Sequence, residues 1–506
     1  MKRFLFFSVL LTTIFCCNSK ASASENTMGE YNQNYHLNSK SGFMNDIQSI
    51  FYDQNTNEYR FYYLHNKDFK IGGNGTEWES VTTKDFINFT NSGTAIEKYK
   101  TASGDIASGT IYKDTDNDLG FGKDALISYV TSYGNDGQTQ NIWYSLDNGK
   151  TFKSYENNPI MKPSSKEANF RDPYVFKQNN MFYMYLAEGN KFGIYESKDG
   201  KHFDYKTGIY DQVDHLGLLE CPNLFKIKTT DTNEEKWVLL FGGNGYERNE
   251  TTGTYYVVGS MAEGVFKPET GARRVDDGSD FYGAKFMQTS DSQLLGLAWL
   301  GSWDYSKQIK NSTGTLGSMS LARNLSLTSE NNYKLKTSSF LTSSLFNNKL
   351  VNKSVSLKSS RKISVDQEGY KTLFSQDTSE KSFALTLNAK KSTAEFPSHI
   401  HIELKNSDSY FKFDYDTTNG YYMVTRTSEN VATDDDAKAH YEKSHVANVM
   451  SNDKLNVKLF VDNGSIEILF PETGETYSLA KFTQESNSKL TIKMNGNTDI
   501  KYTISK

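Results

Sequence analysis

Trp78–Ile96, WESVTTKDFINFTNSGTAI, reads as two strands joined by a short turn that carries Asp85. Apolar and β-branched residues alternate with polar ones on either side of the turn, the period-two pattern of half-buried strands. The arrangement returns in Trp143–Ile160, WYSLDNGKTFKSYENNPI, and in Gly193–Tyr210, GIYESKDGKHFDYKTGIY. Each copy runs strand, Ser or Thr, turn, aromatic, second strand, and Asp85, Asp147 and Asp199 mark the three turns. Their spacing of roughly 50–60 residues is close to the blade period of a propeller. A weaker fourth copy is Tyr255–Val275, YYVVGSMAEGVFKPETGARRV. Isolated hairpins expose strand edges, and radial repetition is one way to protect them. The expectation is a β-propeller over residues 30–335.

Beyond it the texture changes. Residues 336–350 are expected to form a linker, and SSFLTSSLFNNKLV (338–351) suits a short helix or an irregular crossing. From there to residue 506, short alternating runs such as SFALTLNA, HIHIELKN, YFKFDYD and KLNVKLFVD are divided by Asn, Asp, Gly and Ser turns. That rhythm predicts a β-sandwich over 351–506 and an all-β chain.

Bulk composition narrows the partners. The chain has 506 residues, 56 basic against 61 acidic, with 32 Tyr, 32 Phe and only seven Pro. The balanced charge gives no basic face of the kind nucleic-acid binders carry. Residues 1–23 read as a secretory signal: a basic MKR start, the apolar FLFFSVLLTTIF and an Ala21-Ser22-Ala23 cleavage site. That apolar run is too short for a membrane span, and no later stretch is apolar enough. A secreted protein is expected, or a lipid-anchored one through Cys16 or Cys17. Cys221 is then the one remaining cysteine, which allows no internal disulfide and suits a buried small hydrophobe.

Most acidic residues on such a chain are solvated, so chemistry needs an unusual context. Three stretches have one. In GFMNDIQ, Asp46 follows an apolar pair at the entry to the propeller, where Asn-Asp could equally make a turn. In NFRDPYVF, Arg171, Asp172 and Pro173 lie between aromatic runs, where an ion pair capping a blade is the structural alternative. In LLECPNLF, Glu220 lies between leucines and Cys-Pro. It could be an ordinary strand end, but apolar surroundings favour a protonated carboxyl. One carboxylate kept ionised and another kept neutral is the requirement of glycoside hydrolysis. Other stretches carry less. DTDNDLG, with Asp114, Asp116 and Asp118, lacks the turn Gly and closing Glu of a calcium loop. His399 and His401 share a strand face expected to be solvated. GGNG from Gly72 lacks the Lys-Ser/Thr of a phosphate loop.

In that order and spacing, Asn45-Asp46, Arg171-Asp172-Pro173 and Glu220-Cys221 resemble the family 32 glycoside hydrolases, the invertases, inulinases and levanases. ASGT at Ala107, DDGSDFYG from Asp276 and LAWLGSWDY from Leu297 extend the resemblance over nearly all of the chain after the leader. It implies a five-bladed propeller joined to a β-sandwich, with no cofactor or metal. It also implies Asp46 as nucleophile, Glu220 as acid/base and Asp172 as transition-state stabiliser, with Arg171 keeping Asp172 ionised. Asn45, Trp78, Ser108, Arg171, Cys221, Asp280, Tyr282 and Trp303 would contact substrate. Most of the family reads Asn-Asp-Pro-Asn-Gly where this chain has Asn45-Asp46-Ile47-Gln48-Ser49. That departure, with HNKDF and GNGTEW, looks like the levan-directed branch. The implied substrate is a fructan, levan preferred, cleaved internally. Exo-acting fructan hydrolysis, fructosyl transfer and levan binding without turnover are the alternatives.

Overall fold

The structure is a computed structural model and describes residues 30–210, 215–310, 312, 314–342, 345–356, 369–391, 399–431, 434–448, 454–485, 487–496 and 498–506. The expected leader, residues 1–23, lies outside them. Among the described residues, no helix is long and apolar enough to cross a membrane.

Five antiparallel sheets follow one another along the first part of the chain and form the five blades of a propeller. The inner strands are Gly42–Asp53, Gly109–Asp114, Arg171–Gln178, Leu219–Lys228 and Tyr282–Ser290. The ring closes where Thr315–Leu316 pairs in parallel with Gly42 and Phe43 of blade 1. The three sequence repeats are the third-to-fourth-strand hairpins of blades 1, 2 and 3, and the weaker copy is that of blade 4. Their turn aspartates do one job. Asp85 accepts the backbone N–H of Ile87 and Asn88, Asp147 that of Thr151, and Asp199 those of Lys201 and His202.

Two six-stranded sheets face each other in the C-terminal part over a core that includes Leu387, Ile402, Phe413, Val457 and Ile492. The connection between the two parts is shorter than residues 336–350, and it is not a helix at its start. Lys334–Phe340 is the outer strand of blade 5, and Lys349–Ser356 already belongs to the sandwich. The reason is period-two burial of Leu335 and Thr337, which a strand satisfies and a helix would scatter.

Buried ion pairs fasten propeller to sandwich. Arg323 of blade 5 donates to Asp276 (2.7 Å) and to Glu467 of the sandwich (2.9 Å). Arg426 of the sandwich reaches back to Asp280 (2.5 Å) and lies 3.8 Å from the centre of the Tyr441 ring. His36 sits between Asp462 (2.8 Å) and Glu467 (2.9 Å).

Candidate active site

The carboxylates lie at the beginnings of the inner strands, and at each of them the strand pairing is broken. Register shifts fall between Met44 and Ile47, between Glu220 and Asn223, between Tyr282 and Lys285, and opposite Arg171–Tyr174. Bulges re-aim side chains at sheet ends. Two of these residues take a left-handed backbone, Asp172 at φ 59° and Cys221 at φ 49°. Such a conformation costs about 1–3 kcal/mol for a non-glycine residue and concentrates at functional sites. At Gly283 (φ 55°) an added Cβ would come within 2.4 Å of Asp46 Cγ, so the bare backbone of blade 5 closes over that carboxylate.

Asp46, Asp172, Glu220, Arg171, Cys221 and Tyr282 meet at the axis. Cys221 N–H donates to Asp172 Oδ2 at 3.0 Å, and its sulfur lies 3.7 Å from that oxygen and 3.9 Å from Asp46 Oδ2. Asp46 Oδ1 is buried and accepts no hydrogen bond. Burial first, then the charges of Glu220 and Asp172, push Asp46 up to about 7, against the adjacent Asn45 amide. Burial likewise raises Asp172, with Arg171 opposing it. The Cys221 thiol is driven well up by burial and by Asp172 and Asp46, so it is no thiolate nucleophile.

One expectation changes here. Glu220 is not in an apolar setting: Arg171 donates to its Oε1 through Nε (3.0 Å) and Nη2 (2.6 Å), and the Tyr282 hydroxyl donates to Oε2. Arg171 accordingly hydrogen-bonds Glu220 and not Asp172, but its charge, 3.9 Å from Asp172 Oδ2, still favours the ionised form of that carboxyl as expected. Both guanidinium donors converge on Oε1 and leave Oε2 to Tyr282, and the αL turn at Asp172 turns that side chain towards Cys221 instead.

Two other expected contacts, Trp78 and Asp280, lie elsewhere. Trp78 is fully buried between blades 1 and 2, with its indole N–H on Ala107 O (2.8 Å), and is no pocket wall. Asp280 is sealed in the propeller–sandwich interface by Arg426 and by Ala480 N–H (2.8 Å), because its whole segment lies along the Thr476–Ala480 strand. Trp303 packs on Trp299, ring centres 4.7 Å apart, beside Phe43. Ser108 is buried at the start of the blade 2 inner strand, where its carbonyl accepts Thr131 N–H.

Sequence reading missed two residues here. Lys285, two positions past Gly283, is buried with an unpartnered Nζ. Burial lowers its pKa, against the opposing effect of Cys221, Asp172 and Asp46. A lysine in the apolar run FYGAKFM was the available signal. Tyr133, at the end of the second strand of blade 2, feels the charges of Arg171, Asp172 and Glu220. The departure Ile47-Gln48-Ser49 also has a structural task. Gln48 joins Asp46 O (2.8 Å) to Gly109 N (2.9 Å), and Ser49 Oγ accepts Ile111 N–H, so the segment stitches blade 1 to blade 2.

Among the described residues one group of His and Asp could share a cation, His399, His401 and Asp414 on the sandwich. His401 is buried there rather than solvated, because Asp414 faces it across the strand pair at 3.0 Å. Asp114 caps its own turn through Asp118 N–H and Leu119 N–H.

A propeller whose axis gathers two carboxylates, a third held by a backbone amide, and a tyrosine and arginine on one of them is the site of a glycoside hydrolase. The chain belongs to glycosyl hydrolase family 32: the family's N-terminal domain matches residues 36–339 and its C-terminal domain residues 343–505. It is 30% identical to a levanbiose-producing levanase of Bacillus subtilis, over 93% of this chain and 89% of that one. It is 38% identical to a levanbiose-producing levanase of Geobacillus stearothermophilus over 51% of this chain and 66% of that one. An invertase of Debaryomyces hansenii is 27% identical over 92% of this chain and 90% of its own length. In fold, the exo-inulinase of Aspergillus awamori superposes with a TM-score of 0.78 at 22% identity, covering 94% of this chain and 98% of that one.

Proposed function

We propose that this enzyme is a secreted, retaining fructan hydrolase that cleaves the β-2,6 bonds of levan, mainly within the polymer, and that residues 1–23 direct its export. The observation that carries the reading is the meeting of Asp46, Asp172 and Glu220 at one end of the propeller axis, with Asp46 Oδ1 buried and free of hydrogen bonds. Likeness to two levanbiose-producing levanases supports levan over sucrose.

The chemistry follows from the charges. Asp46, once ionised, attacks the anomeric carbon of a fructosyl unit, the glycosidic C–O bond breaks, and Glu220 delivers its proton to the departing oxygen. Glu220, now a carboxylate, takes a proton from water, which attacks the same carbon and frees Asp46. Arg171 and the Tyr282 hydroxyl fix the orientation of Glu220 through both steps and stabilise the anion it becomes. Asp172, oriented by Cys221 N–H, accepts from fructose hydroxyls, and its charge favours the cationic ring of the transition state. The work is divided between a catalytic propeller, which runs to Phe340, and the sandwich, which begins at Lys349.

Purified protein incubated with levan, inulin and sucrose, with products followed over time, tests this. Levan oligomers appearing early are expected; fructose alone would make the enzyme exo-acting, and anhydrides or longer oligomers would make it a transferase. Asp46→Ala should lose at least about 10⁴-fold in kcat, and Glu220→Gln about 10²–10⁴-fold. Either variant working at the parent rate would remove the assignment.

A further inference from the structure

The sandwich carries a group of side chains that the proposed hydrolysis does not use. In HIHIE (399–403) and KFDYD (412–416), strand alternation sends Ile400, Ile402, Phe413 and Tyr415 into the core. It leaves His399, His401 and Asp414 together on the other face of the sheet. The antiparallel register sets Asp414 directly opposite His401, and Asp416 opposite His399. The Tyr370 ring lies over His401, ring centres 4.2 Å apart, so His401 is buried although it faces away from the core.

Asp414 Oδ1 is the atom that both rings approach. His401 Nε2 lies 3.0 Å from it and His399 Nδ1 lies 3.5 Å from it. The three donor atoms all fall within 4.8 Å of one another. Yet His401 Nε2 and Asp414 Oδ1 are both buried and make no hydrogen bond, to each other or to any other group. An ordinary His–Asp pair closes that bond, as the exposed His202 and Asp199 do at 2.7 Å. Buried polar atoms left without a partner call for an explanation, and a bound ion is one. Two donors this close that do not point at each other suit ligands converging on a third atom. In a tetrahedral site with bonds of 2.0–2.1 Å, neighbouring donors stand about 3.3 Å apart. The two distances to Asp414 Oδ1 bracket that value, and His399, with 33% of its side chain exposed, has room to close the remaining edge.

The donor set narrows the ion. Two imidazoles with one carboxylate suit a divalent first-row transition metal, whereas calcium and magnesium take oxygen ligands. Asp416 is engaged by its own turn, where it accepts Thr418 N–H (2.7 Å) and the Asn419 side-chain amide (2.7 Å). The protein therefore supplies three ligands and leaves the fourth position to solvent on the His399 side. Lys412 stands 3.7 Å from the other Asp414 oxygen, and Lys493, opposite His401, lies 4.0 Å from Glu403. Their charges weaken the site without taking Oδ1. We propose that His399, His401 and Asp414 bind one zinc-class ion, which staples strands His399–Lys405 and Ser409–Asp416 together on the outer face of the sandwich. The inference does not depend on the proposed hydrolysis.

The full chain, purified without a polyhistidine tag and stripped with a chelator, should take up one Zn²⁺ in isothermal titration calorimetry, and excess Ca²⁺ should not displace it. Zn²⁺ should raise the thermal midpoint, since only the folded state assembles the three donors. His401→Gln and Asp414→Asn should each weaken uptake at least about tenfold, with far-UV circular dichroism checking that both fold. His202→Gln, which removes an exposed histidine paired with Asp199, should bind as the parent does. Co²⁺ offered in place of Zn²⁺ tests the donor set without any variant: the parent should show the intense visible absorption of a four-coordinate centre. A parent that takes up no Zn²⁺, or shows no such Co²⁺ absorption, would overturn the inference. So would uptake retained in both folded ligand variants, or weakened equally by His202→Gln.

Discussion

Asp46 holds the most consequential charge in the molecule. Its ordinary pKa of 3.8 is carried up to about 7 by burial, then by Glu220 and Asp172. In the proposed mechanism the reactive form has Asp46 ionised and the proton on Glu220, which removes one of the charges that raise Asp46, so the acid limb of kcat/KM should fall as pH drops through a value below about 7. Lys285 is the lever on this limb. In its protonated form, which burial disfavours, the Lys285 amine feels the charges of Asp172 and Asp46, in a centre that also contains Glu220, Arg171, Cys221, Tyr282 and Tyr133. A cation near carboxylates favours their ionised forms. Lys285→Met should therefore move the acid limb to higher pH, read from kcat/KM between pH 4 and 9; an unmoved limb would show that Lys285 only fills space. Asp46, Asp172 and Glu220 could be singled out in the sequence through the ordered set of motifs that resembles the family, although the apolar setting read for Glu220 did not hold. The partner of Arg171 could not, since choosing between adjacent Asp172 and distant Glu220 depends on a left-handed turn that residue order does not reveal.

At the scale of single elements, the hairpins were the legible part and the bulges were not. Alternation and a turn aspartate recur in sequence, so the repeats announced the blades. The register breaks at Asn45–Asp46, Glu220 and Tyr282 leave no local pattern, because a bulge depends on the partner strand as much as on its own. The blade 4 hairpin lacks the turn aspartate but keeps the positive-φ glycine that blades 2 and 3 have at Gly149 and Gly200, and its packing explains why. Gly264 has φ 75°, and an added Cβ would meet the Tyr183 ring of blade 3 at 2.2 Å. Its N–H donates to Gln178 Oε1 (3.0 Å), and its carbonyl accepts the Tyr185 hydroxyl (2.7 Å). The turn is thus the contact through which blade 4 seats on blade 3. Gly264→Ala combines backbone strain with overpacking and should cost about 2–4 kcal/mol. A lower thermal midpoint in scanning calorimetry is the expected result, and an unchanged one would mean that the turn can shift away from Tyr183.

Across the whole molecule, propeller and sandwich are joined by charges buried far from water, and His36 gives that joint a pH dependence. Burial alone would depress its pKa, but the hydrogen bonds it donates to Asp462 and Glu467, and their charges, carry it from 6.5 up to about 9. No sequence window could reveal this, because His36 stands more than 400 positions from both carboxylates and meets them only once both parts have folded. Since the folded value is the higher one, the imidazolium stabilises the native state fully below pH 6.5, and that contribution is lost as pH rises through about 9. The shift corresponds to about 3 kcal/mol, a large share of the stability of an ordinary domain. Glu467 also receives Arg323, so deprotonating His36 leaves Asp462 without its charged partner while Glu467 keeps one. The thermal midpoint of the parent protein should therefore decline between pH 7 and pH 9.5. His36→Gln keeps hydrogen-bond donors but cannot titrate, and should be less stable at pH 6.5 with a flatter profile over the same range. Parallel profiles for the two proteins would place the alkaline loss of stability on some other group.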